Sequence, residues 1–300
     1  MTRFTRGLIL LLSILSACSS PASPSGTSDS VILTSTTFLA DIAQNVAGDR
    51  VQVESLLPIG ADPHSYQPTP QDVTKIVKSQ LLIVNGAEYE HFLEPLLDAE
   101  RAGGEREVIE ASAGISLKTD AESDLGVDPH LWLGPNNVII YVENIREGLT
   151  HFDPDGAAEY KSNADAYVAE LTALDAWIVE EVSRIPAERR LLVTNHEALG
   201  YFAERYGFTI VGAVVESFSA DASPSARQMA GLIDQIKAGG APAIFLDASD
   251  NPTLAQQIAD ETGVRVVTDL HLESLTDGAP AATYIDMMKH NVRQIVNALK

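Results

Sequence analysis

The sequence predicts an α/β protein with two lobes, each built on a parallel-type sheet, and one long spine helix that joins them. Two patterns lead to this prediction. Short runs of β-branched and aliphatic residues alternate with amphipathic helical stretches in both halves of the chain. Between the halves, one stretch keeps helical periodicity for about 30 residues, which is long for a globular protein. A chain of 300 residues, 45% of them hydrophobic, can form two modest domains.

The first lobe is expected to span residues 31–152. Short runs rich in Val, Ile and Leu predict its strands, and amphipathic stretches predict its helices. The expected strands are 31–35, 51–57 and 81–85, and the expected helices are 70–79 and 88–97. Because strands and helices alternate along the chain, we expect the strands to lie parallel to one another.

The second lobe is expected to span residues 187–300 and repeats the same pattern. Its expected strands are 190–194, 209–215, 243–247 and 264–268, with helical stretches between them. In such sheets, ligands bind where loops leave the carboxyl ends of the strands. Polar residues that follow a strand are therefore the first candidates for a binding site.

The stretch 153–186 between the lobes predicts the spine helix. Asp153 and Pro154 offer a helix cap and a first-turn proline, apolar residues then recur at spacings of three and four, and Pro186 ends the pattern. A helix of this length would extend roughly 45 Å at about 1.5 Å per residue. The alternative is two ordinary helices joined near Asp175.

The first 17 residues have the pattern of a secretory signal peptide. Two arginines precede a short apolar run at 8–15, and small residues lead to Ala17 and Cys18. Cys18 is the single cysteine of the chain, and its context resembles the lipobox of bacterial lipoproteins, in which the cysteine is lipidated. An uncleaved anchor or a chance cysteine is the alternative, although so short an apolar run cannot span a bilayer.

Residues 18–30, rich in Ser, Pro and Gly, are expected to form a flexible tether between the lipid and the first lobe. With one cysteine, the chain cannot form an internal disulfide. Core packing and bound ligand must therefore supply its stability.

The charge and the motifs exclude several classes of function. A formal net charge of −22 and the lack of any dense Lys/Arg run argue against a nucleic-acid partner. The charge fits a cationic ligand better, although a solvated acidic surface is the commoner reason for it. The sequence has no G-x-x-x-x-G-K-[ST] nucleotide loop and, after the signal region, no apolar stretch approaching the roughly 20 residues of a membrane span. The chain is therefore expected to be neither a permease nor an ATPase.

Two histidines lie in matching loop motifs. His64 and His130 each end an Asp-Pro-His triplet within a stretch rich in Gly or Pro. The proline restricts the backbone before the histidine and so favours a fixed side-chain direction. Asp62 and Asp128 are expected either to orient these loops or histidines or simply to form turns.

Two further candidates follow strands of the second lobe. His196 comes directly after the strand 190–194, and Glu273 follows the last strand. Three imidazoles and one carboxylate are a ligand set that zinc accepts in a tetrahedral array. Spacing alone does not establish the site, because the four residues are far apart in sequence. His271 and Asp269 remain alternatives to Glu273, since alternate residues of an extended chain point the same way.

The segments GADPHSYQPTPQDV, DPHLWLGPNN, TNHEALGYFAERYG and ATYIDMMKHNV resemble the signature segments of the zinc and manganese solute-binding lipoproteins of bacterial ABC importers. The resemblance covers nearly all of residues 31–300, in order. It implies two lobes joined by one long helix, with a divalent metal in the cleft held by His64, His130, His196 and Glu273. The third ligand is His or Glu in relatives and the fourth is usually Asp, so Glu273 departs from the family pattern.

The resemblance also implies the function and the partners. We expect extracytoplasmic capture of Zn²⁺, with Mn²⁺ as the alternative, and its delivery to a membrane permease driven by a cytoplasmic ATPase. The protein is expected to be a monomer, anchored to the membrane by lipid at Cys18, in the periplasm or on the outer face of the cell membrane. Against zinc, residues 118–128 hold no histidine, whereas many zinc-specific relatives carry a His-rich loop there.

Two rival functions remain open at this point. A secreted zinc hydrolase would use a similar ligand set, but its common motif H-E-x-x-H is absent. An adhesin or scaffold with a structural metal is the second rival. We expect the remaining histidines, His91, His151 and His290, to lie on the surface, and Trp132 to belong either to the cleft wall or to the core.

The lipoprotein interpretation is testable at Cys18. We expect a Cys18→Ser protein to leave the membrane fraction and to bind metal with unchanged affinity, because the proposed ligands lie far along the chain. Membrane fractionation and metal titration of the released protein measure the two effects. Continued membrane attachment of the variant would contradict the assignment.

Overall fold

The computed structural model describes residues 31–95, 97–98, 106–119, 126–217 and 223–300. The predicted signal peptide, the tether and Cys18 lie outside the described residues. The fold class is confirmed, because two four-stranded parallel sheets form two α/β lobes with a long helix beside them.

The first sheet has the strand order β2-β1-β3-β4, with all neighbours parallel. Its strands are β1 Val31–Thr34, β2 Gln52–Ser55, β3 Leu81–Val84 and β4 Glu107–Glu110. The sequence did not predict β4, because this short edge strand begins and ends in glutamate and has no run of apolar residues.

The second sheet has the equivalent order β6-β5-β7-β8, again parallel. Its strands are β5 Leu191–Thr194, β6 Thr209–Ala213, β7 Ala243–Asp247 and β8 Arg265–Leu270. All four correspond to predicted strands. The two sheets therefore share one topology, and each presents the loops at its carboxyl edge as a possible binding edge.

The described part of the chain contains helices that cover both sheets and connect the lobes. They are α1 Thr37–Ala47, α2 Pro70–Lys78, α3 Pro135–Phe152, α4 Ala157–Ser183, α5 Gly200–Tyr206, α6 Ala226–Gly239, α7 Thr253–Thr262 and α8 Tyr284–Leu299. The helix predicted at 88–97 starts later than expected, and residues 94–95 and 97–98 are helical. Ala87 and Glu88 have positive φ angles of 53° and 62°, so the chain turns there before a short 3-10 segment at His91–Leu93.

Helix α4 is the predicted spine. It runs without a break for 27 residues, or roughly 40 Å at the usual rise per residue, so the alternative of two helices joined near Asp175 is wrong. It starts later than predicted because Pro154–Gly156 forms a 3-10 turn ahead of it. Its buried residues lie on one stripe at spacings of three and four: Tyr160, Ala164, Tyr167, Leu171, Leu174, Ile178 and Val182.

One hydrophobic core extends through both lobes. The stripe of α4 packs against α1 and α3 of the first lobe and against α8 of the second. The same buried cluster contains Ile32 and Leu81 from the first sheet and Leu192 and Phe245 from the second. Because close-packed interiors resist deformation, we infer that the lobes are held in one relative orientation rather than on a flexible linker.

Within the described residues, no helix combines the length and the apolar character needed to cross a membrane.

Polar contacts also tie α4 to the second lobe. The Asp175 carboxylate accepts hydrogen bonds from the Arg205 guanidinium, at 3.0 Å from Nε, and from the Tyr206 hydroxyl at 2.8 Å. Burial by itself would raise the pKa of Asp175, but the contacts with Arg205 and Tyr206 outweigh it and lower the pKa. Asp175 therefore anchors α5 to the middle of the spine.

Replacing Asp175 with Asn should destabilise the protein by about 1 kcal/mol at pH 7, because the ion pair is lost while the shape is kept. A lowered folded-state pKa contributes stability above the unfolded pKa, and this contribution is lost as pH falls through the folded value. The difference between wild type and variant should therefore be constant above about pH 5 and shrink below about pH 4. Urea unfolding at several pH values measures it.

Asp165→Asn is the matched control, since Asp165 pairs with Lys161 on the exposed face of the same helix. We expect a change of less than about 0.5 kcal/mol for this pair. An equal effect of both substitutions would show that Asp175 has no anchoring role.

Candidate metal centre

The loop between β2 and α2 carries His64 and is held by its own side chains. The His64 backbone N–H donates to Asp62 Oδ1 at 2.9 Å, and the Ser65 hydroxyl donates to Asp62 Oδ2 at the same distance. A capping box between Thr69 and Asp72 then starts α2. Asp62 thus orients the loop rather than the imidazole, one of the two roles the sequence suggested for it.

The loop between β4 and α3 carries His130, which is fully buried. Asp128 Oδ1 accepts a hydrogen bond from the His130 backbone N–H at 3.0 Å and lies 2.9 Å from its ring Nδ1. A carboxylate at Nδ1 favours a proton on that nitrogen, so Nε2 is the ring atom that faces the cleft and is placed to bind a metal. Asp128 therefore orients both the loop and the imidazole.

Trp132 belongs to the core and connects the two lobes. Its ring stacks on Phe38 with centroids 4.4 Å apart, and its indole N–H donates to the Leu272 carbonyl at 2.8 Å. The Tyr284 hydroxyl donates to the Trp132 carbonyl at 2.6 Å. These contacts fix the His130 loop against the chain that leaves β8.

The second lobe contributes the other two candidates. His196 follows β5, where the Thr194 hydroxyl donates to the His196 carbonyl at 2.6 Å and holds the turn. Glu273 lies beyond β8 and is only 3% exposed. The Tyr89 hydroxyl from the first lobe donates to Glu273 Oε2 at 2.8 Å, which leaves Oε1 to face the histidines.

The four predicted residues converge on one point. Glu273 Oε1 lies 3.7 Å from His64 Nε2, 3.3 Å from His130 Nε2 and 3.4 Å from His196 Nε2. The Nε2 atoms of His130 and His196 are 3.2 Å apart, and all four atoms lie within 4.8 Å of one another. A tetrahedral zinc ion with bonds of about 2.0–2.1 Å would separate its ligand atoms by about 3.3 Å. The spacing fits a single small cation.

The electrostatics of this cluster agree with that geometry. Burial alone would raise the pKa of Glu273, but contacts with the three imidazoles hold it well below its usual range, so the carboxylate is ionised. Burial would lower the pKa of His130, yet the Asp128 and Glu273 carboxylates raise it to about 9. Burial lowers the pKa of His196, and repulsion from the other two histidines adds to this effect.

Two buried atoms of the cluster lack a hydrogen bond. Neither His64 Nε2 nor Glu273 Oε1 has a hydrogen-bond partner in the described part of the chain. Buried polar atoms without partners are costly, and a metal ion satisfies donors of this type. The arrangement can therefore hold a divalent cation through three nitrogen atoms and one oxygen atom.

The other candidates lie elsewhere. His271 and Asp269 group with His290, with the rings of the two histidines 5.3 Å apart, and neither joins the four-atom cluster. His91 and His151 are exposed beside glutamates, as expected. His290, expected on the surface, is half-buried, with 14% of its side chain exposed.

Tyr89 is the site residue that the sequence analysis missed. It lies after the turn at Ala87 and Glu88, in a segment expected to be the first turn of a helix. Its hydroxyl reaches Glu273 from 184 positions away in the sequence. No local pattern signals such a contact, although Asn85 and Gly86 after a buried strand mark a loop at the same sheet edge.

The fold and the site define a two-lobed binding protein whose strand-end loops enclose a cation-sized centre between the lobes. The chain belongs to the family of zinc-uptake complex component A periplasmic proteins (ZnuA), which matches residues 32–298. The predicted resemblance is thereby confirmed.

Individual relatives support this assignment. The manganese-binding lipoprotein MntA of Halalkalibacterium halodurans is 35% identical, covering 100% of this chain and 99% of its own. The iron-binding protein YfeA of Yersinia pestis is 35% identical over 88% of this chain and 84% of its own. The periplasmic zinc-binding protein TroA of Treponema pallidum has a similar structure, with a TM-score of 0.83 and 29% identity over 91% of this chain and 99% of its own.

Proposed function

We propose that this protein captures a divalent transition-metal ion outside the cytoplasm and delivers it to the permease of an ABC importer. The observation that carries the proposal is the convergence of three imidazole Nε2 atoms and Glu273 Oε1 on one buried point. We assign His64, His130, His196 and Glu273 as the metal ligands, two from each lobe. Loops from both lobes thus close around the ion together.

The relatives support the transport role. Their names describe manganese-binding and iron-binding proteins and substrate-binding lipoproteins of metal ABC transporters. A carrier needs to enclose its cargo without reacting with it, and a site with all ligand positions filled by protein suits that task. Delivery then requires that docking on the permease separates ligands contributed by different lobes.

Zinc is the proposed cargo, with manganese as the alternative. Three imidazoles and one carboxylate suit zinc, and the distances of 3.3–3.7 Å from Glu273 Oε1 to the three Nε2 atoms support the same choice. Because the Tyr89 hydroxyl occupies Glu273 Oε2, the carboxylate is set to bind through one oxygen. Monodentate binding keeps the coordination number low, which favours zinc over manganese.

The proposed setting is the outer face of a membrane. Lipid at Cys18 and a tether over residues 18–30 would keep the folded lobes near the permease, where the protein acts as a monomer. The acidic chain, with a net charge of −22, would attract cations to its surface.

A hydrolase is the less favoured function. A catalytic zinc has three protein ligands and keeps its fourth position for water. Here Glu273 Oε1 lies within 3.7 Å of all three histidines and takes that fourth position. No observation on the described residues favours a structural metal in an adhesin.

Removal of one ligand tests the proposal. We expect His196→Ala to weaken binding of both Zn²⁺ and Mn²⁺ by more than about 10 to 100-fold, because loss of a direct ligand exceeds the loss of an outer contact. Competition titration measures the affinities. In a strain lacking the wild-type gene, this variant should fail to restore growth at low metal, and added metal should rescue growth.

His196→Glu refines the same test, since a second carboxylate can chelate through both oxygens and suits manganese better than zinc. We expect this variant to lose more affinity for zinc than for manganese. His91→Ala is the control, because His91 is an exposed histidine beside Glu94. If His91→Ala lost the metal and His196→Ala bound it like wild type, the ligand assignment would be wrong.

Tyr89→Phe tests how the carboxylate is positioned. The substitution removes one hydroxyl and keeps the buried ring, so the fold should remain. We expect zinc affinity to fall by about 10 to 100-fold and the preference for zinc over manganese to decrease, because Glu273 is then free to bind through both oxygens. Unchanged affinities for both metals would remove Tyr89 from the site.

A further inference from the structure

A second group of metal-binding side chains lies on the second lobe, apart from the cleft ligands. Asp269 is the penultimate residue of β8, His271 directly follows the strand, and His290 lies on α8. Each offers a ligand atom, and these atoms lie within 4.8 Å of one another. Asp269 and His271 are alternate residues of extended chain, so both can face α8.

The three side chains lie close together, but one of their buried nitrogen atoms has no hydrogen-bond partner among the described residues. Asp269 Oδ2 lies 3.3 Å from His290 Nε2, and Asp269 Oδ1 lies 3.8 Å from His271 Nε2. The His271 Nε2 atom is buried and has no hydrogen-bond partner among the described residues. A buried imidazole nitrogen without a partner, facing a second imidazole and a carboxylate, is suited to a metal ion.

Neighbouring amides hold this arrangement in place. The Asn291 side chain makes two hydrogen bonds to the His271 backbone. Its Oδ1 accepts from the His271 N–H at 2.8 Å, and its Nδ2 donates to the His271 carbonyl at 2.6 Å. Gln294 Nε2, one turn along α8, donates to Asp269 Oδ2 at 2.9 Å. Ligands fixed by such outer contacts bind metal with little loss of conformational freedom.

We propose that Asp269, His271 and His290 form a second, weaker site for a borderline divalent cation such as Zn²⁺ or Cu²⁺. In the metal-free chain, the His290 Nε2 proton is shared with the Asp269 carbonyl, 2.7 Å away. Binding of a metal at Nε2 breaks this hydrogen bond, and the neutral ring then carries its single proton on Nδ1. Two imidazoles and one carboxylate select such cations over Ca²⁺ and Mg²⁺.

The site should be weaker than the cleft for two reasons. It has three protein ligands, so water completes the coordination shell. The Asp269 side chain is 57% exposed, whereas the cleft carboxylate of Glu273 is 3% exposed. A site open to solvent exchanges its ion readily. Zinc should therefore fill the cleft first and this group second.

Stoichiometric titration of the full chain with Zn²⁺ tests the proposal. We expect the wild-type chain to bind two ions in two steps. In both His290→Gln and Asp269→Asn, the affinity for the second, weaker-binding ion should fall by at least about tenfold. The tight step should be unchanged in these variants. With Cu²⁺ as the probe, the electron paramagnetic resonance spectrum of the second ion to bind should show two nitrogen ligands in the wild type and one in His290→Gln.

His91→Gln is the matched control, because His91 also lies beside a carboxylate, at 3.5 Å from Glu94, but on the exposed surface. It should keep both steps. Asp269→Asn changes an exposed side chain, so it retains the fold even if His290→Gln does not, and circular dichroism checks both. The second site is overturned if Asp269→Asn still binds the second ion with wild-type affinity. It is also overturned if the wild-type chain binds one ion in total and His196→Ala loses that ion. If instead the one ion is lost in His290→Gln and kept in His196→Ala, the cleft assignment fails and the second site stands.

Discussion

The rest of the site depends on the contact between the buried Glu273 carboxylate and the three histidines. The carboxylate places one negative charge among three imidazoles in a region closed to water. In such surroundings, charges interact strongly and an uncompensated group is costly. The Tyr89 hydroxyl directs one carboxylate oxygen away from the cluster, and the other oxygen faces the histidines. This contact joins the two lobes at their carboxyl edges.

The fold supplies the rigidity that this contact needs. Helix α4 packs against helices of both lobes, and the core beneath it is continuous. Trp132 and Tyr284 then bind the His130 loop to the chain beyond β8. A cleft built in this way holds ligand atoms at fixed separations, and small shifts of packed elements suffice to open it. This rigidity suits a carrier that selects its ion by geometry.

The surroundings of each histidine explain why similar residues have different roles. His130 is oriented by Asp128 and faces the cleft, whereas His91 and His151 pair with glutamates in solvent. His271 is two residues from Glu273, yet Asn291 holds its backbone so that the ring faces α8. Residue type therefore matters less than the contact that fixes each ring.

The sequence by itself determined the two-lobed α/β architecture, the helical stretch between the lobes and the loops that carry His64, His130 and His196. These features are local, because periodicity, caps and prolines act over a few neighbouring residues. Only the tertiary structure decided that Glu273 rather than His271 or Asp269 meets the histidines, that Tyr89 contacts Glu273 and that His290 is half-buried. These contacts bring together residues far apart in the chain, and their geometry depends on how whole elements pack, which no local pattern records.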